Sequence, residues 1–297
     1  MRSKNTGARK ALETVIHLIF LLCGIVAVGF VLVISVYLIL SGLPAIRQIG
    51  LFKFLFGQVW DPTNTTTGAQ YGILPFILTS IYGTAGAMVI GVPIGLMTAI
   101  FLSKVAPPKF AAVVHAAVEL LAGIPSVVYG LVGMIVLVPL IRTTFSLGSG
   151  ACLLAAILVL SIMVLPSIIN VSETALRAVP REYEEASLAL GATHIETVFR
   201  VSVPAARSGI ATAIVLGIGR AIGEAMAIIM VAGNVANMPG LFQSVRFLTT
   251  GIISGMSYAP VGSLYQQALF SIGLVLFLFI MLINVFLNVF IKKRKED

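Results

Sequence analysis

The chain has 297 residues, of which 59% are hydrophobic and only 10% charged, and its mean hydropathy is +1.07. Soluble domains carry roughly 25% charged residues, so this composition excludes an ordinary water-soluble fold and places the chain in lipid. The formal net charge of +8 would suit a nucleic-acid binder, but the basic residues flank apolar runs instead of lining one face, which excludes that class.

The apolar runs are about 20 residues or longer, enough to cross a hydrocarbon core of roughly 30 Å, and each must be helical because lipid offers the backbone no other partner. Spans are expected at 15–40, 74–102, 111–140, 151–170, 208–233 and 264–291. The first follows Arg2, Lys4, Arg9 and Lys10 in a short segment, 1–14. It is too long for a signal-peptide core and no small-residue cleavage site follows it cleanly, so it reads as an uncleaved span. Segment 41–73 is expected outside and holds Trp60 and Tyr71. Two readings of these aromatics stand: interfacial anchors, or a surface receiving an extracytoplasmic partner. Segment 234–263 is the other long outer stretch, and 292–297 is a basic tail. With the N-terminus inside, fourteen Lys/Arg fall on cytoplasmic segments and four outside, which predicts both termini in the cytoplasm of a multi-pass plasma-membrane protein.

The composition changes abruptly in the cytoplasmic loop 171–207, which with its edges holds five of the eleven acidic residues. A short helix is expected over 182–190, entered at Val179-Pro180, with acids favouring its N-terminus. Gly191 supplies a turn, and a second helix over 193–201 is expected to stop at Pro204. Tyr183, Ala186, Ala189 and Leu190 fall near one face, where the small residues admit another backbone.

Three ionisable residues sit within expected spans: Glu119, Arg220 and Glu224. Each is costly in a bilayer, by roughly 2.5–3.5 kcal/mol at its centre, and is expected to face a partner or a wet cavity. Arg220 and Glu224 are spaced i, i+4, close enough to pair on one helical face. One reading is a structural ion pair. The other is a guanidinium offered to a passing oxyanion, with Glu224 holding it between passages. For Glu119, pairing with Arg220, snorkelling to the cytoplasmic edge and capping local backbone all stand. The stretch Gly123-Ile124-Pro125 just beyond it is expected to interrupt a helix, and backbone at such a break can line an anion path.

No Gly-rich loop followed by Lys-Ser/Thr occurs, so the chain binds no nucleotide by a P-loop. His17, His115 and His194 read as isolated, Cys23 and Cys152 as small apolar residues, and no Ser/His/Asp set is apparent, so no metal, cofactor or enzymatic activity is expected. Energy for any transport comes from a partner or an ion gradient.

Glu185-Ala186-Ser187, then Gly191, then Val201-Ser202-Val203-Pro204 resembles the EAA loop of ABC importer permeases, which reads E-A-A, three residues, G, nine residues, I-x-L-P. Ser187, Val201 and Val203 are the departures. In that family the loop forms coupling helices seated in a cleft of the ATPase subunit. The resemblance therefore implies ATPase coupling by Glu185, Ala186, Gly191 and Pro204. Further stretches are Trp60-Asp61-Pro62, Tyr71-Gly72-Ile73-Leu74-Pro75, Pro93-Ile94-Gly95, the run from Gly123 to Gly130, and Gly219-Arg220-Ala221-Ile222-Gly223-Glu224. They are similar to the phosphate-specific (Pst) importer, nearer its PstC-type than its PstA-type permease. Thr79-Ser80 departs from that family's more frequent Gly-Thr.

The resemblance implies an all-α, six-span type I permease, 15–291, importing inorganic phosphate with Arg220, Glu224 and Glu119 on the substrate path. It implies ABC ATPase subunits, a second, PstA-like permease subunit and an extracytoplasmic phosphate-binding protein as partners, in a bacterial or archaeal inner membrane. Rival readings are a permease for another oxyanion or small solute, and an ion-gradient-driven secondary transporter. The latter would favour inverted repeats and more ionisable residues in the spans, and neither is evident. A non-transport assembly factor leaves the loop motif and the Arg220/Glu224 pair unexplained.

Overall fold

Backbone groups in lipid must pair within their own segment, and nearly every element of the computed structural model is a helix. The structure describes residues 6–66 and 68–293, and side chains for 13–66 and 68–286. Arg2, Lys4 and the tail residues 294–297 lie outside the described residues, as do the side chains of Arg9, Lys10, Lys292 and Lys293.

Helix α1 (Thr6–Ile49) has 44 residues and is about 66 Å long, more than twice what the hydrocarbon core needs. Its most apolar window has no buried residue and faces outward along its length. It is held mainly by α14 (Leu264–Lys293). Ser271 Oγ donates to the Gly42 carbonyl at 2.6 Å, and the rings of Tyr37 and Phe270 meet edge-on at 5.5 Å. The small Gly42 permits this approach, the usual device where lipid leaves no hydrophobic drive between helices.

A short helix α2 (Leu51–Phe56) leads into the two-residue strands β1 (Trp60–Asp61) and β2 (Gln70–Tyr71), paired antiparallel with Trp60 opposite Tyr71. Both aromatics are 8% exposed. Trp60 lies 5.8 Å from the Tyr71 ring, 5.4 Å from Phe76 and 6.2 Å from Tyr265. Neither reading of these residues holds, because both side chains are buried in the core that β1 and β2 form with α3 and α14.

The bundle centres on α7 (Leu153–Arg177), the most buried span, which packs on α3 (Leu74–Ile100) and α11 (Arg207–Gly223). α3 runs on through a wide π turn, Phe101–Val105. The expected third span is two segments, as Pro125 requires. They are α4 (Pro108–Gly123), then α5 (Ser126–Val132) joined by a π turn to α6 (Val138–Thr144). The membrane-length piece is therefore 126–144, not 111–140. The expected fifth span is also broken, into α11 and α12 (Met226–Val231). α7 continues to Arg177, past the expected end at 170, and so takes Asn170, Glu173 and Arg177 into a helix.

Between α7 and α11 lie α8 (Arg181–Ala189), α9 (His194–Thr197), a π turn, Val198–Ser202, and α10 (Val203–Ala205). Helical structure thus runs through Pro204 instead of stopping there. Pro204 sits in the first turn of α10, where its missing N–H costs nothing. A last short helix, α13 (Leu248–Met256), is buried against α14 and α3. Among the described residues five helices are long and apolar enough to span. A sixth arises if 194–205 and 207–223, bent by 69°, count as one.

Candidate functional site

The two broken helices meet. α12 packs on α5, and the contact depends on Gly130, where an added Cβ would lie 2.8 Å from Ala227 Cα. Each break is held by a specific bond. Tyr129 Oη donates to the Leu121 carbonyl at 2.7 Å, tying α5 back across Pro125 to α4. Thr249 Oγ1 donates to the Glu224 carbonyl at 2.8 Å, so α13 fixes the second break. The Ile124 N–H at the first break is paired with the Leu121 carbonyl at 3.3 Å.

Arg220 lies in the last turn of α11, half-buried, with Nη1 3.4 Å from Ser167 Oγ on α7. The i, i+4 pair with Glu224 does not form. The helix ends at Gly223, Glu224 is extended (φ −72°, ψ 133°), and its Oε1 accepts from the Ala227 N–H at 3.1 Å. The carboxylate caps α12, as a side-chain acceptor at a helix start commonly does. Among the described residues no carboxylate forms an ion pair with Arg220. Glu119 does not reach Arg220 either. It is exposed and faces His115 on its own helix, Oε1 to Nε2 at 3.2 Å.

His115 is not isolated. Its Nδ1 lies 3.4 Å from Oε2 of the buried Glu173, whose Oε1 accepts from Arg177 Nε at 3.0 Å and Nη2 at 2.7 Å. Sequence reasoning missed Glu173 as an interior residue because it counted it among the acids of the loop. The i, i+4 Arg177 was the available signal. Among the described residues no metal-binding group is built from three or more His, Cys, Asp or Glu.

The loop after α7 is built from local rules. Gly191 has φ +89°, open to glycine without strain, and ends α8. Its N–H bonds to Leu188 O at 2.9 Å and that of Ala192 to Ser187 O at 3.2 Å, a Schellman closure. Thr193 and Glu196 form a capping box on α9. Bonds from the Thr193 N–H and hydroxyl hold the Glu196 carboxyl below its ordinary range. Ser187 and Thr197 hydroxyls, 2.9 Å apart, bind α8 to α9.

The loop is anchored through Glu184 and not through Glu185. Lys104, at the end of α3, pairs with the Glu184 carboxylate, which also accepts from Ser202 Oγ at 2.8 Å, while His194 Nε2 lies 3.0 Å from the Lys104 carbonyl. Burial alone would raise the Glu184 carboxyl, but the Lys104 and Ser202 bonds outweigh it and hold it below the ordinary range. Glu185, Ala186, Gly191 and Pro204 are all exposed. They share the surface with Leu190, 90% exposed, and with Tyr183, Leu188 and Ile195. Together they leave an exposed apolar patch on the loop.

Residues 91–296 match the family of binding-protein-dependent transport system inner membrane components. The chain belongs to that family. It is 40% identical over 269 residues to the probable ABC transporter permease protein YqgH of Bacillus subtilis, covering 88% of this chain and 86% of that one. It is 34% identical over 284 residues to the phosphate transport system permease protein PstC of Haemophilus influenzae, covering 89% and 88%. PstC 1 of Mycobacterium tuberculosis is also 34% identical, over 83% of each chain. The likeness to PstC-type permeases read from the motifs thus extends over most of the chain. Among solved structures, a bacterial alginate ABC transporter aligns with TM-score 0.63 at 16% identity over 96% of both chains. The MetNI methionine ABC transporter in an inward-facing form aligns with TM-score 0.55 at 22% identity, over 75% of this chain and 94% of that one. The fold is that of an all-α ABC transporter permease of the inner membrane.

Proposed function

We propose that this chain is the PstC-type permease subunit of an ATP-driven importer carrying inorganic phosphate into the cytoplasm, with Arg220 as the anion-binding group on the path. The observation that carries the proposal is the state of Arg220. It is a half-buried guanidinium beside the junction of two broken helices, paired with no carboxylate among the described residues and donating to the Ser167 hydroxyl at 3.4 Å. A charge in a span persists where it has a function, and an Arg fork donates paired hydrogen bonds to a tetrahedral oxyanion and stays charged at any working pH. Because Glu224 caps α12, its part is to shape the break and to lend nearby negative charge that keeps anion binding reversible. Glu119 faces His115 and not Arg220, so the reading rests on Arg220 and Glu224. The relatives named for phosphate transport support the cargo.

The exposed face of α8 and its turn, with Glu185, Ala186 and Gly191, and with Pro204 nearby, docks an ABC ATPase subunit. The fourteen-to-four distribution of Lys/Arg supports placing this loop and both termini in the cytoplasm. A second permease subunit, PstA-like, completes the pathway, and an extracytoplasmic binding protein delivers phosphate. This chain itself hydrolyses nothing; the ATPase subunits supply the energy.

Radiolabelled phosphate uptake in vesicles, with and without ATP and with sulfate as competitor, tests the reading. Uptake should need ATP and resist sulfate. Arg220→Gln should abolish it while the ATPase still co-purifies. Wild-type uptake by that variant would overturn the role of Arg220, and equal competition by sulfate would overturn the cargo.

A further inference from the structure

Buried polar atoms without partners are rare in folded proteins, because each loses its hydration for nothing. Three of the seven such side-chain atoms among the described residues face one cleft: His115 Nδ1, Asn170 Oδ1 and Glu173 Oε2. The cleft, of about 780 Å³, lies between α4 and α7 at the end of the bundle where Lys104 anchors the loop. Glu173 is only 5% exposed.

The Asn170 and Glu173 oxygens offer lone pairs, and so does His115 Nδ1 in the tautomer that keeps the ring proton on Nε2, the nitrogen facing the Glu119 carboxylate at 3.2 Å. Glu173 spends Oε1 on the two Arg177 bonds and directs Oε2 at His115 Nδ1, 3.4 Å away. Asn170 lies one turn earlier on the same helix, i to i+3 from Glu173, and adds a carbonyl-type oxygen. In that tautomer the lone pairs of His115 Nδ1 and Glu173 Oε2 meet across 3.4 Å with no proton between them, an arrangement that a cation satisfies. The spacing fits one: bonds of about 2.1 Å in a tetrahedral shell put neighbouring ligand atoms about 3.4 Å apart. The surroundings fit as well. A metal-bound imidazole commonly gives its other N–H to a carboxylate, and a bound carboxylate is itself hydrogen-bonded. Glu119 and Arg177 occupy those two positions.

We propose that His115, Glu173 and Asn170 bind one divalent cation, pinning α4 to α7 beside the coupling loop. One imidazole nitrogen with two oxygens selects an ion of the manganese-to-zinc class over calcium or magnesium, which prefer oxygen alone. The proposal is independent of the cargo reading.

The test uses the whole transporter, purified with its partner subunits, stripped with a chelator and titrated with Mn²⁺ while free Mn²⁺ is followed by electron paramagnetic resonance. One ion should bind per copy of this chain. Glu173→Gln and His115→Gln should each weaken binding by about 100-fold or more, and Glu119→Gln by about 10–100-fold. Glu13→Gln, exposed on α1, should leave it unchanged. Should Glu173→Gln fail to assemble, the exposed Glu119→Gln decides alone: unchanged Mn²⁺ affinity in that variant overturns the site. So does the absence of a stoichiometric ion in the wild type, which would mean that His115 and Glu173 merely share a proton.

Discussion

The bond between Lys104 and Glu184 joins the end of α3 to the proposed dock, so removing it should loosen mechanical coupling without removing the dock. The side chains are 10% and 21% exposed. A charge-assisted hydrogen bond contributes about 1.5–3 kcal/mol, and stranding one member of a fully buried pair costs about 3–5 kcal/mol. With a fifth of Glu184 still open to solvent, Glu184→Gln or Lys104→Met should each cost about 2–3 kcal/mol. A double-mutant cycle should then return a coupling of about 2 kcal/mol, roughly 30-fold in an equilibrium constant. Thermal unfolding of the purified complex measures it, alongside co-purified ATPase and phosphate uptake. Uptake should fall several-fold with ATPase binding intact, and the double exchange Lys104→Glu/Glu184→Lys should recover part of it. The folded-state carboxyl lies below its ordinary 4.5, so this stabilisation is complete above that value. It is lost as pH falls below 4.5 and through the lowered folded-state value. Additivity of the two single substitutions within about 0.5 kcal/mol would refute the clamp.

At the junction of the breaks, Gly130→Ala would set a Cβ 2.8 Å from Ala227 Cα and 3.0 Å from its carbonyl oxygen. Overpacking of this kind costs about 1–3 kcal/mol, so uptake should fall sharply, whereas Gly123→Ala, with nothing within 4 Å, should transport normally. Glu224→Gln keeps an acceptor for the Ala227 N–H and should hold the melting temperature, while Glu224→Ala loses the cap and about 1 kcal/mol. Calorimetry on the two variants separates these, and equal melting would show that the cap is idle.

What was legible in the residues was what depends on local chemistry. Pro125 and Gly191 dictate a break and a turn whatever surrounds them, and both lie where the pattern placed them, whereas the apolar runs gave the spans only approximately, the third and fifth being broken. The loop motif was legible because its spacing is set by two short helices and one left-handed glycine. Pairings across the fold were not. Lys104 and Glu184 are 80 residues apart, and nothing in their neighbours distinguishes Glu184 from Glu185. The Arg220/Glu224 pair failed for a different reason. Spacing i, i+4 brings side chains together only while the helix persists, and the break at Gly223-Glu224 carries no proline to announce it. Trp60 and Tyr71 looked interfacial because composition reports polarity and not the fold of the segment that buries them.

One helix links the separate features. Along α7 lie Ser167, which touches Arg220, then Asn170 and Glu173 on the cleft toward α4, then Arg177, beyond which the chain enters the loop. From Ser167 to Arg177 is ten residues, about 15 Å of helix. Pro166 removes one backbone bond immediately before this stretch, which is where a buried helix bends most cheaply. On the proposed function, a displacement imposed on the loop end would be carried to Ser167 along this segment, with Pro166 the cheapest place for the helix to bend. The group it shifts is the one holding Arg220 at 3.4 Å, a contact weak enough to yield to an anion. A carboxylate in that position would have held the guanidinium too firmly for repeated exchange. Committing Glu224 to the backbone of α12 would thus, on the proposed function, leave Arg220 responsive to the loop that an ATPase would move.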